Sequence, residues 1–372
     1  MGVMKVVRAV VFIMAGLVAV SAPAQQNESL AISAVQLQLR LDEVQQTNQG
    51  VPGFAIAVIK DGAPISAATG IAAPDNTPMT AQTPFRLASV TKTFVAASIL
   101  RLHEQGRISL DAAISELLSQ EHLRLLQTDG YDVEAITVRH LLMHSAGLND
   151  HFGTEEMRRM VFANPAHVWT PTEQIRLMVE ASERLGAPGD RFAYSDTGYV
   201  LLGEIVERIS GKPLGQAVRD LNRFDTLQLD DLRWEGEAPG KDAPDRAHQW
   251  ISGFDTYALD GSVDAFGGGG LIGDVRVTAR YFDALFGGSV FSNPETLEEM
   301  KTAPSHPDGS PYRLGLFTNS VGGQEAFMHG GFWGVFAIHV PAKNLTIVGV
   351  ALDQSGEPAI RELALDLIDP NR

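Results

Sequence analysis

Ser89-Val90-Thr91-Lys92 places a hydroxyl and an amine three residues apart, where an apolar, helix-patterned segment begins. Residues at i and i+3 share one helix face, so the amine can reach the hydroxyl's proton. A serine at a helix N-terminus also sits among backbone N–H groups with no intrahelical partner, which favour developing negative charge. That is the arrangement of an activated serine nucleophile. Read alone, the same four residues also fit an N-cap serine followed by a solvated lysine, so the surrounding sequence must decide.

Working outward, Phe94, Val95, Ile99 and Leu102 continue the segment as a helical stripe that Gly106 ends. Upstream, Val51-Pro52-Gly53 punctuates the chain after an amphipathic helix expected over residues 28–48. Residues 54–59 read as a buried strand, Asp61-Gly62 as a hairpin turn and 65–69 as the partner strand. Residues 107–250 are mainly helical patterns between Pro and Gly loops, the clearest running from 198 to 210 before Gly211. A glycine run at 267–270, without the G-K-[ST] of a nucleotide loop, precedes a helix over 275–286 with Asp274 as its N-cap. Strands are expected at 313–317, 325–329, 335–340 and 345–352, and a last helix at about 357–368. With strands at both ends and helices between, the economical fold is α+β. It has one central antiparallel sheet built from N- and C-terminal segments, flanked by helices, with a mainly helical domain inserted. The α/β part is expected at about 25–90 and 265–372, and the helical part at about 91–264.

The first two dozen residues differ in kind. Lys5 and Arg8 precede an apolar run over 9–20, and Ala22-Pro23-Ala24 gives a small-x-small site. This is the order of a secretory signal peptide with cleavage after Ala24. The run is shorter than the roughly 20 residues a membrane span needs. The expected mature chain, from residue 25, is therefore periplasmic or secreted and has no membrane span. The absence of cysteine excludes disulfides, a thiol nucleophile and thiolate metal sites. Losing Lys5 and Arg8, two positive charges, moves the formal charge from −16 to −18, which argues against nucleic acid and anionic membranes as partners. The sequence does not fix an oligomeric state.

Two further groups give the serine and lysine their context. Tyr194-Ser195-Asp196 directly precedes the helix near Gly198, and His329-Gly330-Gly331 ends a strand. The three elements in this order resemble the serine β-lactamase and penicillin-binding-protein superfamily. The tyrosine makes the chain similar to the class C branch, which also holds D-aminopeptidases, D-alanyl-D-alanine carboxypeptidases and related esterases of the peptidase S12 type. Val51-Pro52-Gly53, residues 85–92, Leu141-Leu142-Met143-His144-Ser145-Ala146-Gly147-Leu148 and residues 194–203 carry the likeness across essentially the whole mature chain.

The resemblance implies that Ser89 is acylated by a carbonyl substrate, a small molecule or peptide, and that water then releases the acyl group without a cofactor. Lys92 and Tyr194 would share the proton transfers as base and acid. A free phenol, with a pKa near 10, is a poor base at neutral pH, so either an ammonium lowers it or the lysine is the base. The backbone N–H groups of Ser89 and Phe332 would form the oxyanion hole. Gly330 and Gly331 would let substrate backbone approach the strand, and Trp333 beside them either lines the pocket or packs.

Two departures bear on substrate choice. Asp196 stands where the family usually has Asn and cannot donate when ionised. It should hold Lys92 as an ammonium, favour Tyr194 as the base and offer an anchor for a substrate ammonium. His329-Gly330 replaces a lysine and a hydroxyl that bind a substrate carboxylate, leaving at most one partly charged donor. Both favour a peptidase, amidase or esterase. The alternatives are a class C-like β-lactamase or D-Ala-D-Ala carboxypeptidase, and a non-catalytic relative that binds cell-wall fragments or a protein. His140 and His144, four apart on an expected helix, have no acidic residue between them and no clear third metal ligand, so no metal is expected.

Overall fold

The computed structural model describes residues 32–237, 245–304, 306 and 310–371. The leader reading for residues 1–24 lies outside them. Helix α1 (Ala34–Thr47) is narrower than the sequence suggested and opens with a capping box on Ser33. It leads to a hairpin of β1 (Gly53–Lys60) and β2 (Ala63–Gly70). Asp61 and Gly62 turn this hairpin with φ of 50° and 76°, the double positive φ that a tight two-residue connection demands. The short β3 (Phe85–Arg86) then delivers the chain to a 3₁₀ turn at Ala88–Val90 and to α2 (Thr91–Glu104).

Helices α3 (Gln120–Thr128), α4 (Val138–Leu142), α5 (Glu155–Ala163), α6 (Pro171–Ala181), α7 (Asp196–Ser210) and α8 (Leu214–Leu221) follow. Short strands β4 (Arg233–Trp234), β5 (Trp250–Ile251), β6 (Phe254–Asp255) and β7 (Leu271–Gly273) precede α9 (Val275–Phe286) and α10 (Pro294–Met300). The last part contains β8 (Phe317–Val321), β9 (Gln324–Gly331), β10 (Val335–Val340), β11 (Leu345–Ala351) and α11 (Glu357–Ile368).

The main sheet has the order β2-β1-β11-β10-β9-β8. Its pairs are antiparallel, and β1 joins β11 in register from Phe54↔Ala351 to Lys60↔Leu345. Sequence-distant ends therefore build one sheet around the helical insertion. Helix α9 covers the sheet, and α11 packs on β11 and against α1. Ala55, Ala57 and Ile59 join the large core, while the intervening Phe54, Ile56 and Val58 are equally buried. A strand covered on both faces reads as a continuous apolar run, which is what residues 54–59 show.

Helix α2 carries more than the single stripe expected: 11 of its 14 residues are buried. It is packed among α7, α8, α10 and the serine turn, so apolar residues are needed all round it. Phe94 stacks on Tyr281 of α9 at 3.7 Å. One expected strand, 313–317, is shifted along the chain to β8 (Phe317–Val321). Residues 313–316 form a turn instead, with Arg313 N donating to the Leu316 carbonyl at 2.6 Å, and the strand starts only at Phe317; Gly315, at φ 81°, packs on α2 and its carbonyl accepts from Thr93 Oγ1 at 2.9 Å. Among the described residues no helix is long and apolar enough to cross a membrane.

Candidate active site

The serine turn is held from below by Arg86. This fully buried guanidinium pairs with Glu235, Nε to Oε2 at 2.7 Å, and donates to the Thr256 and Leu259 carbonyls at 3.1 and 2.6 Å. Ala88 follows at φ 46°, a left-handed conformation that costs an L residue roughly 1 kcal/mol or more. Ser89 sits in the 3₁₀ turn that follows this bend. One turn on, Lys92 is wholly buried. Its Nζ donates to Ser89 Oγ at 3.0 Å, to the Gly268 carbonyl at 2.6 Å and to the Asp196 carboxylate. An ammonium has three donors, and all three are used. Burial works against the charge, but Asp196 and Tyr194 outweigh it and hold Lys92 above its ordinary range. Lys92 is an ammonium in this arrangement.

Tyr194 and Asp196 arrive together because α7 begins between them. Ser195 is the N-cap, accepting from Gly198 N at 3.1 Å while its hydroxyl donates to the Asn149 carbonyl at 2.7 Å. That leaves Asp196 free to point at Lys92. The Tyr194 hydroxyl lies within reach of both Ser89 and Lys92. Burial pushes its phenol up to about 12; the Lys92 charge pulls it down and the Asp196 charge pushes it up. The Tyr194 ring rests on His144, centroids 4.2 Å apart. His144 is not on a helix with His140: α4 stops at Leu142, and His144 turns away at φ 52° to accept from Ser195 N at 3.1 Å. His140 instead closes the α4 capping box with Thr137.

The third element lies alongside. Gly331 ends β9 directly against the serine turn, and Gly330 precedes it. His329 is buried, with Nε2 3.0 Å from Tyr312 Oη and Nδ1 2.8 Å from the Gly330 carbonyl. Burial, with help from Lys92, lowers it to about 3. It is a neutral ring with both nitrogens engaged, not the partly charged donor expected for a substrate carboxylate. Phe332 is exposed at the hairpin tip and edge-on to Phe152 at 5.4 Å. Trp333 is buried against Ala88, Met157 and Trp169 and donates Nε1 to Asp264 at 3.3 Å. Among the described residues neither the Ser89 nor the Phe332 backbone N–H has a protein acceptor.

Ser89, Tyr194, Asp196, His329, Gly330 and Phe332 all border one cavity of about 970 Å³, with Lys92 just behind its wall. Sequence reasoning passed over several of its residues. The glycine run at 267–270 was noticed, but not that Gly268 supplies a carbonyl to Lys92. Asp150, two residues past the family-like stretch ending at Leu148, accepts from Asp196 N at 3.1 Å. Asp264, Gln174 and Arg361 also line the cavity without any motif to announce them. Arg361 is tied to Glu357 one helical turn earlier, Nε to Oε1 at 2.5 Å.

The Beta-lactamase family profile matches residues 38–368. The chain belongs to the Beta-lactamase family. This Beta-lactamase family member is 25% identical over 326 residues to a D-aminopeptidase of Gluconobacter oxydans (strain 621H), covering 80% of this chain and 55% of that protein. It is 34% identical over 152 residues to Esterase EstB of Burkholderia gladioli, covering 38% of this chain and 36% of that protein. The chain thus aligns with about half or less of these curated relatives' lengths. In three dimensions it resembles a D-stereospecific amidohydrolase from Streptomyces sp., with TM-score 0.75, 23% identity and coverage of 87% of this chain and 97% of that one. That likeness shows a shared fold.

Proposed function

We propose that this chain is an exported serine hydrolase that cleaves amide, peptide or ester bonds through an acyl-enzyme on Ser89. The observation that carries the reading is the Ser89 Oγ to Lys92 Nζ contact of 3.0 Å, backed by Asp196 and Gly268, at the edge of a substrate-sized cavity. Export rests on the pattern of residues 1–24. Ser89 Oγ attacks the carbonyl carbon, and the developing oxyanion meets the Ser89 and Phe332 N–H groups. Lys92, already protonated, cannot take the serine proton, so its ammonium orients Oγ and stabilises charge. Tyr194 is the group that receives the proton, from its deprotonated form, and returns it to the leaving group. Water then releases the acyl group by the reverse path.

Intact-mass spectrometry after a fluorophosphonate probe tests this, with Ser89→Ala as control. A single adduct on the wild-type chain and none on the variant is expected. An unlabelled wild-type chain, or equal labelling of both, would remove the reading. The same assay with a penicillin and a short ester separates a penicillin-binding role, a slowly released adduct, from ester hydrolysis.

A further inference from the structure

The Ser89 and Phe332 N–H groups stand on different parts of the fold. Ser89 follows β3, and Phe332 lies in the turn between β9 and β10. Contact of Gly331 with the Leu87 carbonyl stops the two parts from approaching further. A stop in one direction does not fix a spacing, so something must also hold them together. One side chain reaches both. Gln249 is fully buried. Its Oε1 accepts from Arg86 N at 2.9 Å, and its Nε2 donates to the Arg86 carbonyl at 3.3 Å and to the Trp333 carbonyl at 3.0 Å. With an N–H on one side and carbonyls on the other, the amide orientation is fixed and both Nε2 hydrogens are used.

The three bonds have a common sense. β3 is an edge strand, paired with β7 on one side only. On its open side the Gln249 amide does what a neighbouring peptide group would, accepting from the Arg86 N–H and donating to the Arg86 carbonyl. Arg86 lies three residues before Ser89, and the bend between them at Ala88, φ 46°, is one that its surroundings must impose. The other Nε2 hydrogen crosses to Trp333, the residue after Phe332. One planar group therefore spans both arms of the expected oxyanion hole. Gln249 is itself anchored, because its carbonyl accepts from Thr256 N at 2.9 Å and Thr256 Oγ1 at 2.8 Å. The neighbouring N–H groups of Ala247 and Trp250 donate to the Pro84 and Leu352 carbonyls, each at 2.7 Å. Pro84 leads into β3, and Leu352 follows β11, the neighbour of β10.

We propose that Gln249 is a positioning residue for the oxyanion hole, its amide holding the Ser89 and Phe332 N–H groups at the separation a tetrahedral oxygen needs. This deepens, and rests on, the acyl-transfer reading above. Gln249 touches no substrate and acts only through the Arg86 and Trp333 backbone. Donors stabilise an oxyanion when they lie about 2.7–3.1 Å from the place where it forms. A misplacement on the order of 1 Å costs about 100-fold in rate. The loss falls on the rate and spares substrate binding, since the oxyanion exists only after attack.

Stopped-flow release of p-nitrophenol from p-nitrophenyl butyrate tests this in Gln249→Leu, which keeps the bulk and removes the amide. The acylation rate at saturating ester should fall about 100-fold. The ester concentration giving half that rate should move by less than about threefold. Phenylboronic acid adds Ser89 Oγ to its boron and then carries a tetrahedral oxygen, so its inhibition should weaken by a factor close to the rate loss. Gln249→Glu is the second variant. Its carboxylate still accepts from Arg86 N but has no N–H for the Trp333 carbonyl, and it should show the same split. A merely structural glutamine would lower Tm and leave the folded variants acylating within about threefold of wild type. That result overturns the proposal, as does a loss confined to half-saturation or a failure of both variants to fold. In each of these cases the hydrolase reading stands. If the wild-type chain takes the fluorophosphonate but not the ester, the same comparison is made on labelling rates. If it takes neither, the acyl-transfer reading falls and this proposal falls with it.

Discussion

The Leu87 carbonyl lies where a side chain on Gly331 would begin. A Cβ at that position would sit 2.4 Å from the oxygen and 2.4 Å from Val335 Cγ1. Gly331 is the point at which β9 touches the loop carrying Ser89, so Gly331→Ala must push the two apart. Overpacking costs about 1–3 kcal/mol, and disturbing an oxyanion hole costs roughly 100-fold in rate. We expect a lower Tm and fluorophosphonate labelling slowed by about that factor. At Gly330 a Cβ meets nothing nearer than Arg361 Nη2 at 3.5 Å, so Gly330→Ala should lose far less. Equal losses at the two positions would count against this contact.

The pH profile should follow Tyr194. Burial raises its phenol to about 12, so the form able to take a proton grows as pH rises. kcat/KM should therefore climb from pH 7 toward pH 10. The Asp196 charge raises both Tyr194 and Lys92. Asp196→Asn removes that effect and should move the rising limb to lower pH by about one unit. A limb that stays in place would exclude Tyr194 as the titrating base.

Asp150 should cost stability where it is ionised. Its carboxyl is raised from 3.8 to about 7 by burial and Asp196. A carboxyl whose folded pKa lies above its unfolded value binds protons more tightly in the folded chain. Its penalty is therefore absent at low pH, grows through the window from about 4 to 7, and is complete above it. Asparagine can still accept from the Asp196 and Phe152 N–H groups, which now reach Oδ1 at 3.1 and 3.2 Å. Asp150→Asn should gain roughly 2 kcal/mol more in urea unfolding at pH 8 than at pH 4. A gain that does not change with pH would refute this assignment.

Arg86→Lys should be far from conservative. The guanidinium reaches Glu235, the Thr256 carbonyl and the Leu259 carbonyl at once, and a point-charge ammonium cannot span that fork. Stranding buried acceptors costs about 1–3 kcal/mol each. Urea unfolding of the variant should show a loss of about 3 kcal/mol or more. A variant within about 1 kcal/mol of wild type would mean the fork is dispensable.

Much of this was legible in the sequence where a local rule acts alone. Asp274 caps Arg276 N and Val277 N at 2.7 and 2.9 Å, and α9 runs as the pattern said. β10 and α11 also fall where period and punctuation put them. The meeting of Ser89, Lys92 and Tyr194 was legible because spaced motifs carry it. What failed was set by partners distant in the chain. Residues 313–316 have strand composition, but Gly315 docks on α2 instead. His329 has the chemistry of a donor, yet Tyr312 and the Gly330 carbonyl had already claimed its ring. Gln174 and Asp264 belong to no local pattern, because it is the cavity that makes them unusual.

β1 is translated early and β11 late, yet they lie side by side. While the chain is being made, the β1–β2 hairpin keeps one open edge, a row of unmatched N–H and C=O groups. Pairings so remote in sequence close large loops and form slowly. β9, whose Gly331 braces the serine turn, belongs to the same late group. Serine, amine and phenol thus leave the ribosome well before the strand that gives them their surroundings. The nascent chain carries its own delay: a half-made molecule holds every reactive group and no reaction centre.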